Sequence, residues 1–322
     1  MTPPLESTPP LESITAAVIG VDDFAPHLDF YCGELGYAVE AEGVVPAADA
    51  DRLWGEGAGD VEVRLLAAAG AATGRIHLLK VTDPVAPAQH PHTLDVGLAG
   101  INLYTRDIAA SHERLRAAGH PWISPPQSFD VPVGELTVQV TEGYCLGPGG
   151  VGVVFVQPAG PRPTAAWLED PGRQHTELTS VVCHVPEFDA ELAFWDALGM
   201  SAGYDVTFSA PGLETMADLP SGTQVRLAFV AGRDGGTTRI EMVRADRTRV
   251  DRRSTQRPAR ALGHTAWSAR TGDLDDALAR ATGAGGRVVC PPFAAETPLH
   301  GAARLAMVET PNGLSVELWQ PR

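Results

Sequence analysis

The sequence predicts an α+β protein of four βαβββ modules, which pair into two open β-barrel-like domains with helices outside. Three internal matches carry this prediction. ITAAVIGVDDFAPHLDFYCGELGY (14–37) and LTSVVCHVPEFDAELAFWDALGM (178–200) each read as apolar strand, acidic turn and short amphipathic helix ending at glycine. GINLYTRDIAASHERLRAAGHPWISPP (100–126) and GHTAWSARTGDLDDALARATGAGGRVVCPP (263–292) share strand, Asp-bearing turn, helix, glycine stop, strand and Pro-Pro. The closing strands GPGGVGVVFVQP (147–158) and TPNGLSVELWQP (310–321) also match.

Each element has a local reason. Phe24, Leu28, Tyr31 and Leu35 fall on one face of the first helix, and Phe188, Leu192 and Trp195 do so in its repeat. Gly36 and Gly199 stand where a left-handed helix cap is wanted. In the closing segments a Gly-containing turn feeds an alternating strand. Gly147, Gly149 and Gly152 spell a dinucleotide fingerprint, but they precede a strand instead of opening a helix, so they read as a hairpin turn.

Four modules result: 14–80, 96–158, 177–243 and 263–321, with the second half repeating the first after about 163 residues. Divided along the chain, these give a leader (1–13) expected to be disordered, an N-terminal domain (14–158), a linker (159–176) and a C-terminal domain (177–322). A lone βαβββ unit leaves one sheet face bare, so two units must pair around a shared cavity, the natural ligand site.

Bulk properties narrow the function. The 322 residues carry 24 basic and 40 acidic side chains, a formal charge of −16. Such a surface repels phosphate backbones and anionic lipid, so nucleic acid and membrane are not expected partners. Residues 244–260 are arginine-rich and read as a solvated linker that docks against acidic surface elsewhere. Cys32, Cys145, Cys183 and Cys290 form no C-x-x-C pair, which suggests buried free thiols. With no basic, apolar start and no run of about 18 apolar residues, the chain is expected to be cytoplasmic, as a monomer or homodimer acting on a small-molecule substrate. Serine-hydrolase, P-loop and zincin signatures are absent.

The four-module order resembles the vicinal-oxygen-chelate superfamily, which includes glyoxalase I, extradiol dioxygenases, methylmalonyl-CoA epimerase and bleomycin-type resistance proteins, over 14–321. The resemblance implies metal-ligand slots on the first and last strand of each module. Aligning the modules places first-strand slots at Ala16, Ile101, Ser180 and His264, and last-strand slots at His77, Val154, Glu241 and Glu317. His264 and Glu317 both fit the family pattern. If modules one and four pair, His77 is the third ligand; if three and four pair, it is Glu241. The first set is preferred, because a histidine within RIHLLKV otherwise lacks an explanation, whereas Glu241 has arginines nearby.

The first set, two His and one carboxylate, suits Fe(II), with Mn, Ni or Zn as alternatives. It implies an oxygenase acting on a phenolic or quinol-like compound. The second set implies a glyoxalase- or epimerase-like isomerase or lyase, and a metal-free small-molecule binder of the resistance type is the remaining alternative. His300 and His184 are the candidate proton carriers, although His184 also reads as a strand-end residue facing solvent. Tyr104 and Trp267 are candidate substrate contacts, with core packing as the plainer reading. Ring-cleaving relatives place a Tyr ten residues before the metal Glu; here that position is Met307, a departure from the dioxygenase pattern.

Overall fold

The computed structural model describes residues 11–85, 89–232, 236–252 and 260–322. Module one comprises β1 (Leu11–Val21), α1 (Phe24–Leu28) continued by a π-helical stretch (Asp29–Glu34), β2 (Ala38–Val45), α2 (Ala47–Trp54), β3 (Val61–Ala67) and β4 (Arg75–Lys80). Module two holds β5 (Gly97–Thr105), α3 (Ile108–Ala117), β6 (Gln127–Val133), β7 (Leu136–Leu146) and β8 (Gly152–Gln157). After α4 (Ala165–Glu169), module three follows with β9 (His175–His184), α5 (Phe188–Ala197), β10 (Ser201–Phe208), α6 (Pro211–Met216), β11 (Val225–Ala231) and β12 (Arg239–Ala245). Module four closes with β13 (Gly263–Thr271), α7 (Leu274–Gly283), β14 (Arg287–Thr297), β15 (Gly301–Glu309) and β16 (Ser315–Pro321).

The acidic turns read from the sequence act as helix caps in three modules. Asp23, Asp107 and Asp273 accept backbone N–H groups of Ala25, Ala110 and Asp276, satisfying donors that the first turn leaves free. Glu187, at the same place in module three, makes no side-chain cap. Gly36 and Gly199 adopt φ of 75° and 89°, the left-handed stop expected of them.

Two eight-stranded sheets result, ordered β14-β15-β16-β13-β1-β4-β3-β2 and β10-β11-β12-β9-β5-β8-β7-β6. Module one therefore pairs with module four through antiparallel β1–β13, and module two with module three through β5–β9. The division into sequential halves at 159–176 is not how the sheets are built: the first sheet joins the two ends of the chain, and the second is the chain's middle. Leu11, Glu12 and Ser13, expected in a disordered leader, begin β1; residues 1–10 lie outside the described residues. Of the arginine-rich stretch, 253–259 also lie outside them. Arg252 pairs with the buried Asp95 at 3.0 Å, and its neighbour Asp251 bridges to Val96.

The main core lies between the two sheets and joins Ile14, Ile101, Phe155, Trp195 and Trp267 with the long helices. Trp195 and Trp267 sit with ring centroids 5.8 Å apart. The Trp195 indole donates to Glu191, which also accepts from Asn312, so a fully buried carboxylate is hydrogen-bonded on both sides. All four cysteines are free. No helix among the described residues is long and apolar enough to cross a membrane.

Truncating Trp195 opens a large cavity in this shared core and leaves Glu191 short of a donor. Trp195→Ala should cost about 3–5 kcal/mol in urea denaturation. A loss below about 1 kcal/mol would contradict the placement of Trp195 at the centre of the core.

Candidate functional site

Each sheet curves around a concave face, and the two faces differ. In the first sheet, His77 on β4 and Glu317 on β16 meet His300 from the turn between β14 and β15, with one ligand atom of each residue within 4.8 Å of the others. His300 Nε2 lies 2.7 Å from Glu317 Oε1, Ser268 Oγ donates to the same oxygen at 3.2 Å, and Trp54 Nε1 donates to Oε2 at 3.1 Å. Thr297 Oγ1 lies 3.1 Å from His300 Nδ1 and orients the ring. The His77 ring meets that of His300 edge-on, and its buried Nδ1 has no hydrogen-bond partner.

Burial alone pushes the Glu317 carboxyl up, but the charge and hydrogen bond of His300, then His77 and Trp54, outweigh it and hold the pKa near 2. Burial drives His77 the other way, to about 3, with His300 adding to the effect, so its imidazole is neutral and able to bind a cation.

Two imidazoles and one carboxylate, with one ring nitrogen unpartnered, fit a divalent metal. The face around them is closed, however. Helix α2 lays Leu53 and Trp54 onto Leu65, Leu79, Leu305 and Met307, and these side chains pack into one cluster over the concave side. A substrate chelating a metal there would have to displace Trp54.

His264, read as the first-strand ligand, is not part of this group. Along β1–β13 the register jumps between Val18/Ala266 and Ile19/His264, leaving Thr265 as the extra residue of a bulge. Ser268 and Ala266 keep to the concave side, opposite Ala16 and Val18, whereas His264 lies opposite Ile19, whose side chain belongs to the inter-sheet core. There His264 is 5% exposed, burial holds its pKa near 3, and neither ring nitrogen has a well-formed hydrogen bond. The ligand that completes the cluster is instead His300, expected from the sequence as a proton carrier.

His184 is fully buried, not at the solvent, and its Nε2 accepts the Ala245 N–H at 3.2 Å. It shares its strand face with the cavity-lining Ser180 and Val182, at the end of β9, but is not itself among the residues that line the cavity. Trp267 is fully buried in the inter-sheet core.

The second sheet is different. Its concave face holds a cavity of about 500 Å³, within the range of ligand pockets. Val131, Val138, Val140, Val154, Val182 and Val243 make up much of the wall, and α6 lies along its rim with Leu213 and Met216. Valine side chains fill less space than the leucines and Trp54 of the first sheet, and this face stays open.

The polar lining includes Asn102, Tyr104, Glu142, Ser180, Arg239 and Glu241. Asn102 Nδ2 donates to Glu241 Oε2 at 2.7 Å. Arg239 donates to Ser180 Oγ and Tyr104 Oη, each at 3.3 Å, and its guanidinium lies 3.6 Å from the centre of the Phe229 ring. Burial raises the Glu241 carboxyl to about 7 despite Arg239 and Asn102; burial and the Glu241 charge raise Glu142 to about 8. The slots facing one another on this sheet hold Ser180 and Asn102 on the first strands and Glu241 and Val154 on the last. Ile101, assigned to the slot from the sequence, points into the core. One carboxylate among Ser, Asn and Val is not a metal-ligand set.

Glu142 and Arg239 were not singled out in the sequence. The signal for Glu142 was present: Val138, Val140, Glu142 and Tyr144 share one face of an alternating strand, and a carboxylate in an apolar face requires a partner.

Residues 13–155, spanning modules one and two, match the Glyoxalase/Bleomycin resistance protein/Dioxygenase superfamily. The whole chain has the fold of solved members: glyoxalase I from Zea mays superposes with a TM-score of 0.61 at 15% identity, covering 96% of this chain and 92% of that one. A putative dioxygenase from Bacillus subtilis does so with a TM-score of 0.58 at 13% identity, over 97% and 86%. No curated protein matches in sequence. Modules one and two match this superfamily's model, and the whole chain has its fold with four modules in the two-sheet arrangement, so the resemblance read from the sequence holds.

If the first-sheet cluster binds a divalent metal, protein purified without oxygen should carry close to one equivalent by plasma mass spectrometry. His77→Ala and His300→Ala should lose it and His264→Ala should keep it. Retention in His300→Ala together with loss in His264→Ala would restore the ligand set inferred from the sequence.

Proposed function

We propose that the chain binds a small organic molecule in the cavity of modules two and three, and that this site works without a metal. The supporting observation is the contrast between the faces: the second sheet encloses about 500 Å³ lined by valines and a few convergent polar groups, whereas the first is filled by α2 and leucine side chains. Ligand sites of this kind are concave and mostly apolar, with a small number of polar groups that fix orientation. Tyr104, which lines this cavity, has the role of a substrate contact. Glu142 and Glu241, both raised towards neutrality, supply hydrogen-bonding groups able to hold or exchange a proton at pH 7.

A second reading, a metal enzyme of the Fe(II) oxygenase type, is favoured by one observation, the His77–His300–Glu317 donor set with its unpartnered His77 Nδ1. A bound metal would supply Lewis acidity and, as iron, access to O₂ chemistry. His77, His300 and Glu317 would hold it, and Trp54 would exclude water from it. That reading requires α2 to swing away so that a substrate can reach the centre, and the packed face counts against it.

The cavity reading is tested with N-phenyl-1-naphthylamine, an uncharged fluorescent probe whose emission rises in apolar surroundings. Wild type should bind about one equivalent, and the metal chelator EDTA should not change the affinity. Val154→Trp fills the cavity from β8 and should weaken binding at least about tenfold while leaving the fold intact by circular dichroism. Unchanged binding in Val154→Trp, or loss of binding with EDTA, would contradict the reading.

A further inference from the structure

The polar floor of the second cavity is composed of acceptors with too few donors. Glu142 and Glu241 are carboxylates, and Asn102 presents its Oδ1 as well. The bond from Asn102 Nδ2 to Glu241 fixes the orientation of the amide, so Oδ1 is the atom left over, and it has no partner in a side chain only 4% exposed. A buried acceptor left in this state is destabilising until a donor arrives. The nearest cation does not fill the gap. Arg239 directs its hydrogen bonds to Ser180 and Tyr104 and stacks on Phe229, and among the described residues no ion pair joins it to either carboxylate.

Charge counting leads to the same requirement. Two carboxylates share a mostly apolar cavity with one guanidinium, Arg239; the other basic group lining it, Arg162, is exposed at the mouth, where water screens it. The phenols facing the cavity, Tyr104, Tyr144 and Tyr204, have no cationic form and add no positive charge. The floor is therefore one positive charge short whenever both carboxylates ionise. Without a ligand, a proton makes up the difference, in keeping with the raised pKa of both groups.

Resting on the reading of this cavity as the ligand site, we infer that its ligand is a lipophilic amine, bound as the ammonium ion with its N–H groups on Glu241, Glu142 and Asn102 Oδ1 and its apolar body against the valine wall. An ammonium group brings the missing charge and several donors at once, and its fully desolvated pairing with a carboxylate is stronger than a neutral hydrogen bond. The cation takes the place of the proton held by the carboxyl pair, so binding releases a proton near neutral pH. Affinity accordingly rises as pH climbs through about 7 to 8, the range in which Glu241 and Glu142 ionise, and falls again only when the amine itself deprotonates, near pH 10.

The experiment is displacement of bound N-phenyl-1-naphthylamine at pH 8 by three compounds of one shape: 4-phenylbutylamine, 4-phenylbutan-1-ol and 4-phenylbutyrate. The amine should displace the probe at a concentration at least about tenfold lower than the alcohol, and the carboxylate should be the weakest. Glu142→Gln/Glu241→Gln keeps shape and hydrogen bonding while removing the charge; it should still bind the probe but lose the preference for amine over alcohol. Calorimetry in buffers of different ionisation enthalpy should show proton release with the amine and none with the alcohol. Equal displacement by amine and alcohol, a preference for the carboxylate, or no displacement by the amine from a cavity that holds the probe, overturns the amine proposal while leaving the cavity reading in place. Failure of wild type to bind the probe at all overturns both.

Discussion

The whole arrangement depends on one constraint: a βαβββ module cannot cover its own concave face and must pair its first strand with that of another module. This chain meets it by joining β1 to β13 and β5 to β9, both antiparallel. The first pairing brings the two ends of the sequence together, so His77 and Glu317, on strands far apart in the chain, come to one site. The second builds the inner sheet from the chain's middle. Every functional group discussed above takes its position from which first strands meet, because the last strand of each module lies parallel to its own first strand.

Repetition made the fold legible. The repeated strand–cap–helix–glycine pattern carries its own physical logic in Asp107, Asp273, Gly36 and Gly199, and four copies of it leave few alternative architectures. Site residues were legible only where strand parity was unbroken. Alternation places His77, Glu241 and Glu317 on concave faces, and all three are found there. The same alternation would put His264 beside them, but the bulge at Thr265 turns it into the inter-sheet core, and a single extra residue in a strand leaves no mark in composition. The course of the sheet also decides what Trp54 does: nothing in AADADRLW tells that its indole will cross to a carboxylate 263 positions away.

The two faces show how one scaffold position acquires opposite electrostatics. Glu317 and Glu241 occupy equivalent last-strand slots. Glu317 is surrounded by donors (His300, Ser268 and the Trp54 indole) and is held ionised, with its pKa near 2. Glu241 is hydrogen-bonded by the neutral Asn102 and Ser180, has no imidazole beside it, shares its cavity with a second carboxylate, and is raised to about 7 by burial. The volume of the neighbouring residues runs in parallel. Leucines and a tryptophan seal the donor-rich face, while valines leave the acceptor-rich face open to a ligand.

Xenon binding in crystals tests this asymmetry most directly, since the gas occupies accessible apolar cavities and is excluded from packed cores. The account predicts xenon among Val131, Val140 and Val154 in the second sheet, and none beneath α2 beside His77 and Trp54. Xenon density beside Trp54 with none among the valines would contradict it, and would return the ligand site to the His77–His300–Glu317 face.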